Sequence, residues 1–120
     1  MDLLRRSARE AVEPFDGVHL ATLLAGESMS LQYYRFEPGA RVPEHDHPHE
    51  QGGYVTEGVL TFETDTAVIN GEPAEGRVRA SVDDAYVVPG GEPHAAVNET
   101  DGLVEGLDVF SPPRESLPWG

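Results

Sequence analysis

The chain has 120 residues and a formal net charge of −14, because 22 acidic residues outnumber eight cations. All eight cations are arginines, and the chain contains no cysteine. This length suits one domain with one small core. The negative charge argues against nucleic acid or an anionic membrane as a partner. Without cysteine, disulfides and thiolate metal sites are excluded, which leaves histidine, carboxylate and carboxamide side chains as candidate metal ligands.

The N-terminal residues lack the apolar run of a signal peptide, and no segment approaches the ~18 apolar residues of a membrane span. We therefore expect a cytoplasmic protein. The surplus of acid without lysine is typical of proteins from cells that keep molar salt in the cytosol, where salt screens the repulsion between carboxylates. Ordinary acidic drift is the alternative explanation of the same composition.

Residues 1–16 are predicted to form a short N-terminal extension, helical or irregular. Ser7 and Glu10 fit a capping box, but Pro14 limits any helix there to about two turns. A single domain is expected over residues 17–117, followed by a tail of residues 118–120.

From Val18 onward, short apolar or alternating runs are interrupted by glycine and proline, which predicts an all-β sandwich or barrel. The predicted strands are Val18–Leu24, Met29–Phe36, Gly53–Thr56, Val59–Thr64, Arg77–Ser81, Ala85–Val88, His94–Val97 and Leu103–Phe110. Asn70-Gly71 is the best signal for a tight turn.

Four of the five histidines lie in two short segments: His45, His47 and His49 in one, and His94 in the other. On an extended strand the first three share one face with Gln51, whereas Glu50 lies on the opposite face. Several imidazoles aimed at one point are costly to bury unless their lone pairs are accepted, and a divalent metal ion accepts them best. The clustered spacing therefore favours a metal site.

These segments resemble the two sequence motifs of the cupin superfamily. The first motif is matched by Gly39, His45, His47, Gln51 and Gly58, and the second by Pro89, Gly91, His94 and Asn98. The resemblance implies a cupin jelly-roll β-barrel, also called a double-stranded β-helix. It also implies one divalent transition metal ion near the barrel mouth, with His45, His47, Gln51 and His94 as ligands.

Most cupins carry glutamate at the position of Gln51. Three imidazoles and one amide are neutral, so a bound divalent ion keeps its full charge and should attract an anionic ligand. The set also lacks the two-histidine, one-carboxylate triad of many non-haem iron oxygenases. These ligands do not distinguish nickel, zinc, iron, manganese and copper.

A second resemblance lies in residues 106–117, which contain Asp108, Phe110 and Arg114. With residues 45–51 and 54–58, this stretch is similar to the KdgF family of pectin-degradation cupins, which linearise 4,5-unsaturated uronates. The similarity covers roughly residues 30–117. It implies that Asp108, Phe110 and Arg114 line the substrate pocket.

The residues themselves are compatible with such a site. Asp108 and Phe110 share one face of a strand whose other face is apolar, so a carboxylate lies beside an aromatic ring. The two prolines that follow can redirect the chain and bring the guanidinium of Arg114 over the barrel mouth, where it would bind a carboxylate. The alternatives are an ion pair between Asp108 and Arg114 that closes the barrel, and simple core packing of Phe110.

The resulting hypothesis is a metal-dependent isomerase that opens the ring of a small anionic sugar acid. Asp108 and Arg114 would be catalytic, while Phe110, Arg114 and His49 would contact the substrate; for His49, a role behind the metal ligands or an exposed loop position is the alternative. A cupin dioxygenase of the quercetinase type and a non-catalytic small-molecule-binding cupin remain as alternative functions. A homodimer is expected, because an exposed sheet edge in a barrel of this size needs cover.

Overall fold

The computed structural model describes residues 1–114. Within that range the chain forms one three-residue 3-10 helix, Arg6–Ala8, followed by twelve strands. The strands are β1 (Val12–Phe15), β2 (Val18–Ala25), β3 (Ser30–Phe36), β4 (Arg41–His45), β5 (Glu50–Glu57), β6 (Val59–Glu63), β7 (Val68–Ile69), β8 (Glu72–Pro73), β9 (Arg77–Ser81), β10 (Ala85–Val88), β11 (His94–Val97) and β12 (Val104–Ser111). The predicted end of the domain at residue 117 and the tail of residues 118–120 lie outside the described residues.

The strands form two main antiparallel sheets. The larger sheet has the order β1-β2-β3-β12-β5-β10, the smaller has the order β4-β11-β6-β9, and β7 pairs with β8. Alternate residues of β3 and β12 are buried, as expected for strands with one face on a core. The core contains Val18, Leu20, Tyr34, Phe36, Ala40, Val42, Val55, Leu60, Phe62, Ala80, Ala96 and Val104. The predicted all-β fold is confirmed.

Each of the eight predicted strands overlaps an observed strand, and the prediction missed four others. One of these is β4, which contains Pro43 and a single buried residue, Val42. Because β4 is an edge strand, the missing N–H of Pro43 costs no interior ladder bond. Another is β1, which lies inside the predicted extension and pairs with β2.

The short helix fits the predicted helical extension, but its start differs from the prediction. The N-cap is Arg5, which makes no side-chain capping bond, so the capping box centred on Ser7 does not form. No helix among residues 1–114 is long and apolar enough to cross a membrane.

Two turns between strands require the glycines at positions 58 and 71. Asn70 and Gly71 have φ angles of 49° and 82° and join β7 to β8, as a tight hairpin turn requires. Gly58, between β5 and β6, has a φ of 79°, and a Cβ at this position would lie 2.3 Å from the carbonyl oxygen of Leu103. A side chain at Gly58 is therefore opposed both by its backbone conformation and by a neighbouring strand.

Candidate metal centre and its pocket

The two histidine segments meet where β4 pairs with β11. His45 and His94 are partners across these antiparallel strands, and their ring centroids are 4.4 Å apart. The chain from His45 to Gln51 is not one extended strand, as the sequence reasoning assumed, because β4 ends at His45 and β5 begins at Glu50. The bend between them is held by Gly91, whose backbone N–H donates to the carbonyl of His47 over 2.7 Å. His47 thus reaches the site from a loop.

Ring nitrogens of His45, His47 and His94 lie within 4.8 Å of one another. In all three rings the Nδ1 atom faces a backbone carbonyl and therefore carries the proton. The acceptors are the carbonyls of Pro43, His49 and Glu92, at 2.9, 3.0 and 2.8 Å respectively. Each Nε2 therefore carries a lone pair. A hydrogen bond from Nδ1 to a carbonyl, as in these three rings, orients a histidine for metal binding.

Gln51 adds one oxygen, Oε1, to the three ring nitrogens as a fourth candidate ligand atom. Its Oε1 lies 3.1 Å from Nε2 of His47, while its amide also donates a hydrogen bond to Asp108. Because the His47 proton is on Nδ1, two acceptor atoms face each other, and a cation beside them would relieve that contact. The residues therefore fit a divalent ion, and the three histidines can hold one.

Burial favours the neutral form of the His45 and His47 imidazoles. It lowers the pKa of His45 to about 4, against the smaller opposing effect of the hydrogen bond to Pro43. Burial also lowers the pKa of His47, and the positive charge of Arg114 acts in the same direction. Neutral imidazole is the form that binds metal ions, so His45 and His47 need not lose protons to bind one near neutral pH.

Asp108 lies beside the histidine group as a buried carboxylate. It is aligned with Gly53 of β5, which is in turn aligned with Tyr86 of β10. The Tyr86 hydroxyl lies 2.6 Å from Oδ1 of Asp108. Burial raises the pKa of Asp108 to about 6, although the hydrogen bonds from Tyr86 and Gln51 and the charge of Arg114 act to lower it.

Arg114 and Phe110 form one wall of the pocket. The Arg114 guanidinium carbon lies 4.5 Å above the centre of the Phe110 ring, a cation–π geometry. Arg114 is fixed through its backbone N–H, which donates to the Ser30 hydroxyl over 2.9 Å. Both side chains are buried, and the Phe110 ring also contacts the rings of His47 and His49.

His49 is close to the site but outside the group of three ring nitrogens. Its ring centroid is 5.8 Å from that of His47. Its buried Nδ1 has no hydrogen-bond partner within residues 1–114. His49 is therefore not among the clustered ligand atoms, and it offers a polar atom next to Phe110.

Tyr86 and Tyr34 are pocket residues that the sequence did not identify as members of the site. Their hydroxyls lie 3.0 Å apart, and both residues line the same cavity as Asp108. The only local signal was indirect: Gly53 and Gly106 interrupt two strands and leave room for large side chains from neighbouring strands.

The cavity that joins these groups has a volume of about 50 Å³. Its walls include His45, His94, Gln51, Asp108, Phe110 and Arg114. Pockets that enclose a drug-sized ligand measure ~300–1,000 Å³. Only part of a small ligand therefore fits inside this volume.

Comparison with known protein families assigns a cupin domain to residues 32–110. The chain belongs to the cupin family. That range contains all three clustered histidines, Gln51 and Asp108, and cupins commonly bind a metal ion. No curated protein sequence is matched.

Solved structures give the same assignment for this cupin. KdgF from Halomonas sp. superposes with a TM-score of 0.78 at 25% identity, covering 96% of each chain. An RmlC-like cupin from Shewanella frigidimarina matches with a TM-score of 0.77 at 25% identity, covering 96% of this chain and 94% of the other. The polyketide cyclase RemF from Streptomyces resistomycificus, with a TM-score of 0.76 at 20% identity over 97% and 82% of the chains, shares the fold.

Proposed function

We propose that this cupin opens the ring of 4,5-unsaturated uronates from pectin or alginate breakdown and produces the linear keto form. One observation carries the proposal: a buried carboxylate, Asp108, lines one small cavity together with Arg114 and with two histidines of the three-histidine group, His45 and His94. The similarity to the KdgF structure and the KdgF-like stretch that contains Asp108, Phe110 and Arg114 support the same activity.

The reaction needs a proton carrier but no oxidant. The substrate is a cyclic hemiacetal whose ring oxygen is joined to the C4=C5 double bond. Ring opening removes the proton of the anomeric hydroxyl, forms a carbonyl there, and breaks the bond between the anomeric carbon and the ring oxygen. The electron pair left on that oxygen forms an enolate, and a proton added at C4 completes the ketone. One proton leaves and one arrives, so the reaction is an isomerisation.

Asp108 is the group we assign to both proton steps. It would accept the proton of the anomeric hydroxyl as general base and return a proton to C4 as general acid. Its position supports this role, because Tyr86 and Gln51 fix the carboxylate and exclude bulk water from one side of it. A divalent ion held by His45, His47, His94 and Gln51 would supply Lewis-acid stabilisation of negative charge on substrate oxygens.

The remaining pocket residues are assigned to binding. The Arg114 guanidinium would bind the uronate carboxylate through two parallel hydrogen bonds. Phe110 would pack against the sugar ring and exclude water, and the buried Nδ1 of His49 would contact a substrate hydroxyl. The small volume of the cavity favours a monosaccharide. The homodimer expected for a small barrel stays a prediction.

The test is an assay of the metal-loaded protein on unsaturated uronate monomers released by pectate and alginate lyases. Loss of the ultraviolet absorbance of the double bond is compared with the spontaneous rate, and NMR identifies the product. We expect acceleration by the parent protein and by the exposed-carboxylate control Asp101→Asn, and a return to the spontaneous rate in Asp108→Asn.

Three outcomes would overturn the proposal. A parent protein that does not exceed the spontaneous rate has no such activity. Oxygen uptake with a flavonol substrate, measured with an oxygen electrode, would instead identify a dioxygenase of the quercetinase type. Stoichiometric binding of a uronate without turnover would identify a non-catalytic small-molecule-binding cupin.

A further inference from the structure

Tyr86 of β10 and Tyr34 of β3 each pack over a glycine of another strand. Their hydroxyls are within hydrogen-bond distance of each other, and that of Tyr86 also bonds to Asp108. A Cβ on Gly53 would lie only 2.0 Å from the ring of Tyr86, and a Cβ on Gly106 would lie 2.2 Å from the hydroxyl of Tyr34. Any larger residue at either glycine would displace the tyrosine that covers it. The two glycines therefore create the space in which both phenol groups point toward the pocket.

The hydrogen bonds among these three residues have one consistent direction. The Tyr86 hydroxyl has a single proton, and it lies 2.6 Å from Oδ1 of Asp108 and 3.0 Å from the Tyr34 hydroxyl. An ionised carboxylate has no proton to donate, so Tyr86 donates to Asp108 and accepts from Tyr34. Burial raises the pKa of both tyrosines, which keeps both hydroxyls protonated.

Asp108 in turn fixes the orientation of Gln51. The carboxylate can only accept hydrogen bonds, so the group that Gln51 turns toward it is the amide nitrogen. The Gln51 oxygen must then face the other way, where it lies 3.1 Å from Nε2 of His47. A rotated Gln51 would place two acceptors together at Asp108 and an N–H group at the histidine site.

We propose that Tyr86, supported by Tyr34, is a positioning residue that holds Asp108 and thereby directs the oxygen of Gln51 toward the three-histidine site. This role rests on the proposed metal site and deepens the proposed function. Tyr86 hydrogen-bonds to Asp108 and Tyr34 and acts through Asp108. Gly53 leaves the space for Tyr86, and Gly106 leaves the space for Tyr34.

The test measures Ni²⁺ affinity by calorimetry in Tyr86→Phe and in the matched variant Tyr34→Phe. Loss of a hydrogen bond that supports a metal ligand lowers metal affinity by roughly 10–100-fold, so we expect Tyr86→Phe to lose at least tenfold in Ni²⁺ affinity. In Tyr34→Phe, the Tyr86 hydroxyl still donates to Asp108, and we expect a change of less than about threefold. Gly53→Ala, which displaces the Tyr86 ring, should reproduce the larger loss.

A second measurement does not need metal. The side-chain amide signals of Gln51 in the NMR spectrum of the metal-free protein should shift in Tyr86→Phe and stay in place in Tyr34→Phe. Unchanged backbone signals elsewhere establish that Tyr86→Phe is folded; if it is not, the Gly53→Ala comparison takes its place. Ni²⁺ affinity equal to that of the parent, together with unshifted Gln51 signals, would overturn the positioning role.

The activity and Ni²⁺-affinity measurements distinguish failure of the proposed function from failure of the positioning role. A protein without uronate activity that still loses Ni²⁺ affinity in Tyr86→Phe keeps the positioning role and rejects only the substrate. If the uronate activity is present, kcat should fall in Tyr86→Phe with a smaller change in KM. A parent protein that does not bind Ni²⁺ would overturn the positioning role toward the metal site.

Discussion

Replacing Asp108 with asparagine should make the metal-free protein more stable above pH 6 while removing its activity. The carboxyl group is buried, and burial raises its pKa to about 6 from the ordinary 3.8. At roughly 1.4 kcal/mol per pKa unit, this difference corresponds to about 3 kcal/mol. Function at this site is therefore expected to oppose stability.

The sign follows from proton binding. A raised pKa means that the folded protein binds the Asp108 proton more tightly than the unfolded chain does, so the group's destabilising effect grows as pH rises from about 4 to 6. Above pH 6 the folded protein carries the full cost of a buried charge. The asparagine side chain has no charge at any pH, so Asp108→Asn lacks this cost.

The assay is urea unfolding with a chelator present, at about pH 4 and about pH 7.5, for the parent and Asp108→Asn. Other titrating groups, such as His45, largely cancel in the difference between the two proteins. That difference should increase by about 2 kcal/mol in favour of Asp108→Asn between the two pH values, because part of the full effect is already present at pH 4. Asp101→Asn, at an exposed position, should change stability by less than ~0.5 kcal/mol.

A difference between parent and Asp108→Asn that does not change with pH would refute the reasoning. It would mean that the carboxylate is as well solvated in the folded protein as in the unfolded chain. Hydrogen-bond rearrangement around the asparagine side chain adds an offset common to both pH values, so the test depends only on the increment.

Three further predictions concern the metal, the backbone and the charge. His47→Ala should lose the bound divalent ion in metal analysis, whereas Asp101→Asn, at an exposed position outside the histidine group, should retain it; equal loss in both variants would contradict the site. Gly58→Ala should destabilise the protein by at least ~2 kcal/mol in urea unfolding, because positive φ alone costs roughly 1–2 kcal/mol and a carbonyl oxygen lies in the way. Gly91→Ala, with a φ of 81° and no neighbour within 4 Å, should cost less than Gly58→Ala. With a net charge of −14, the melting temperature should rise with potassium chloride concentration, and a flat or falling curve would argue against a high-salt protein.

Most of the strand content followed from local patterns in the sequence. Apolar alternation and glycine or proline breaks located eight strands, and Asn70-Gly71 located a hairpin turn. The sequence did not predict β4 because this edge strand contains Pro43 and buries only one apolar residue, so its apolar alternation is weak. The first three residues of β5, residues 50–52, were not predicted because Gly52 is a poor strand former, and pairing with β10 and β12 stabilises it there.

The structure brings His45, His47 and His94 together, although not through the single extended strand that the sequence suggested. The sequence placed His45, His47 and Gln51 on one extended strand, whereas the structure brings them together across a bend. The two motifs meet because β4 pairs with β11 and because Gly91 holds the loop that carries His47. These are contacts between segments distant in sequence, which spacing alone does not specify.

By itself, the sequence determined the absence of thiol chemistry and the all-β class, because these depend on composition and local periodicity. Only the tertiary structure decided that Asp108 lies inside the barrel rather than on its outer face. Strand parity is symmetric between the two faces, and the choice depends on partners that offset the cost of burying a carboxylate. Those partners, Tyr86, Gln51 and Arg114, come from three different parts of the chain and meet only in the folded protein.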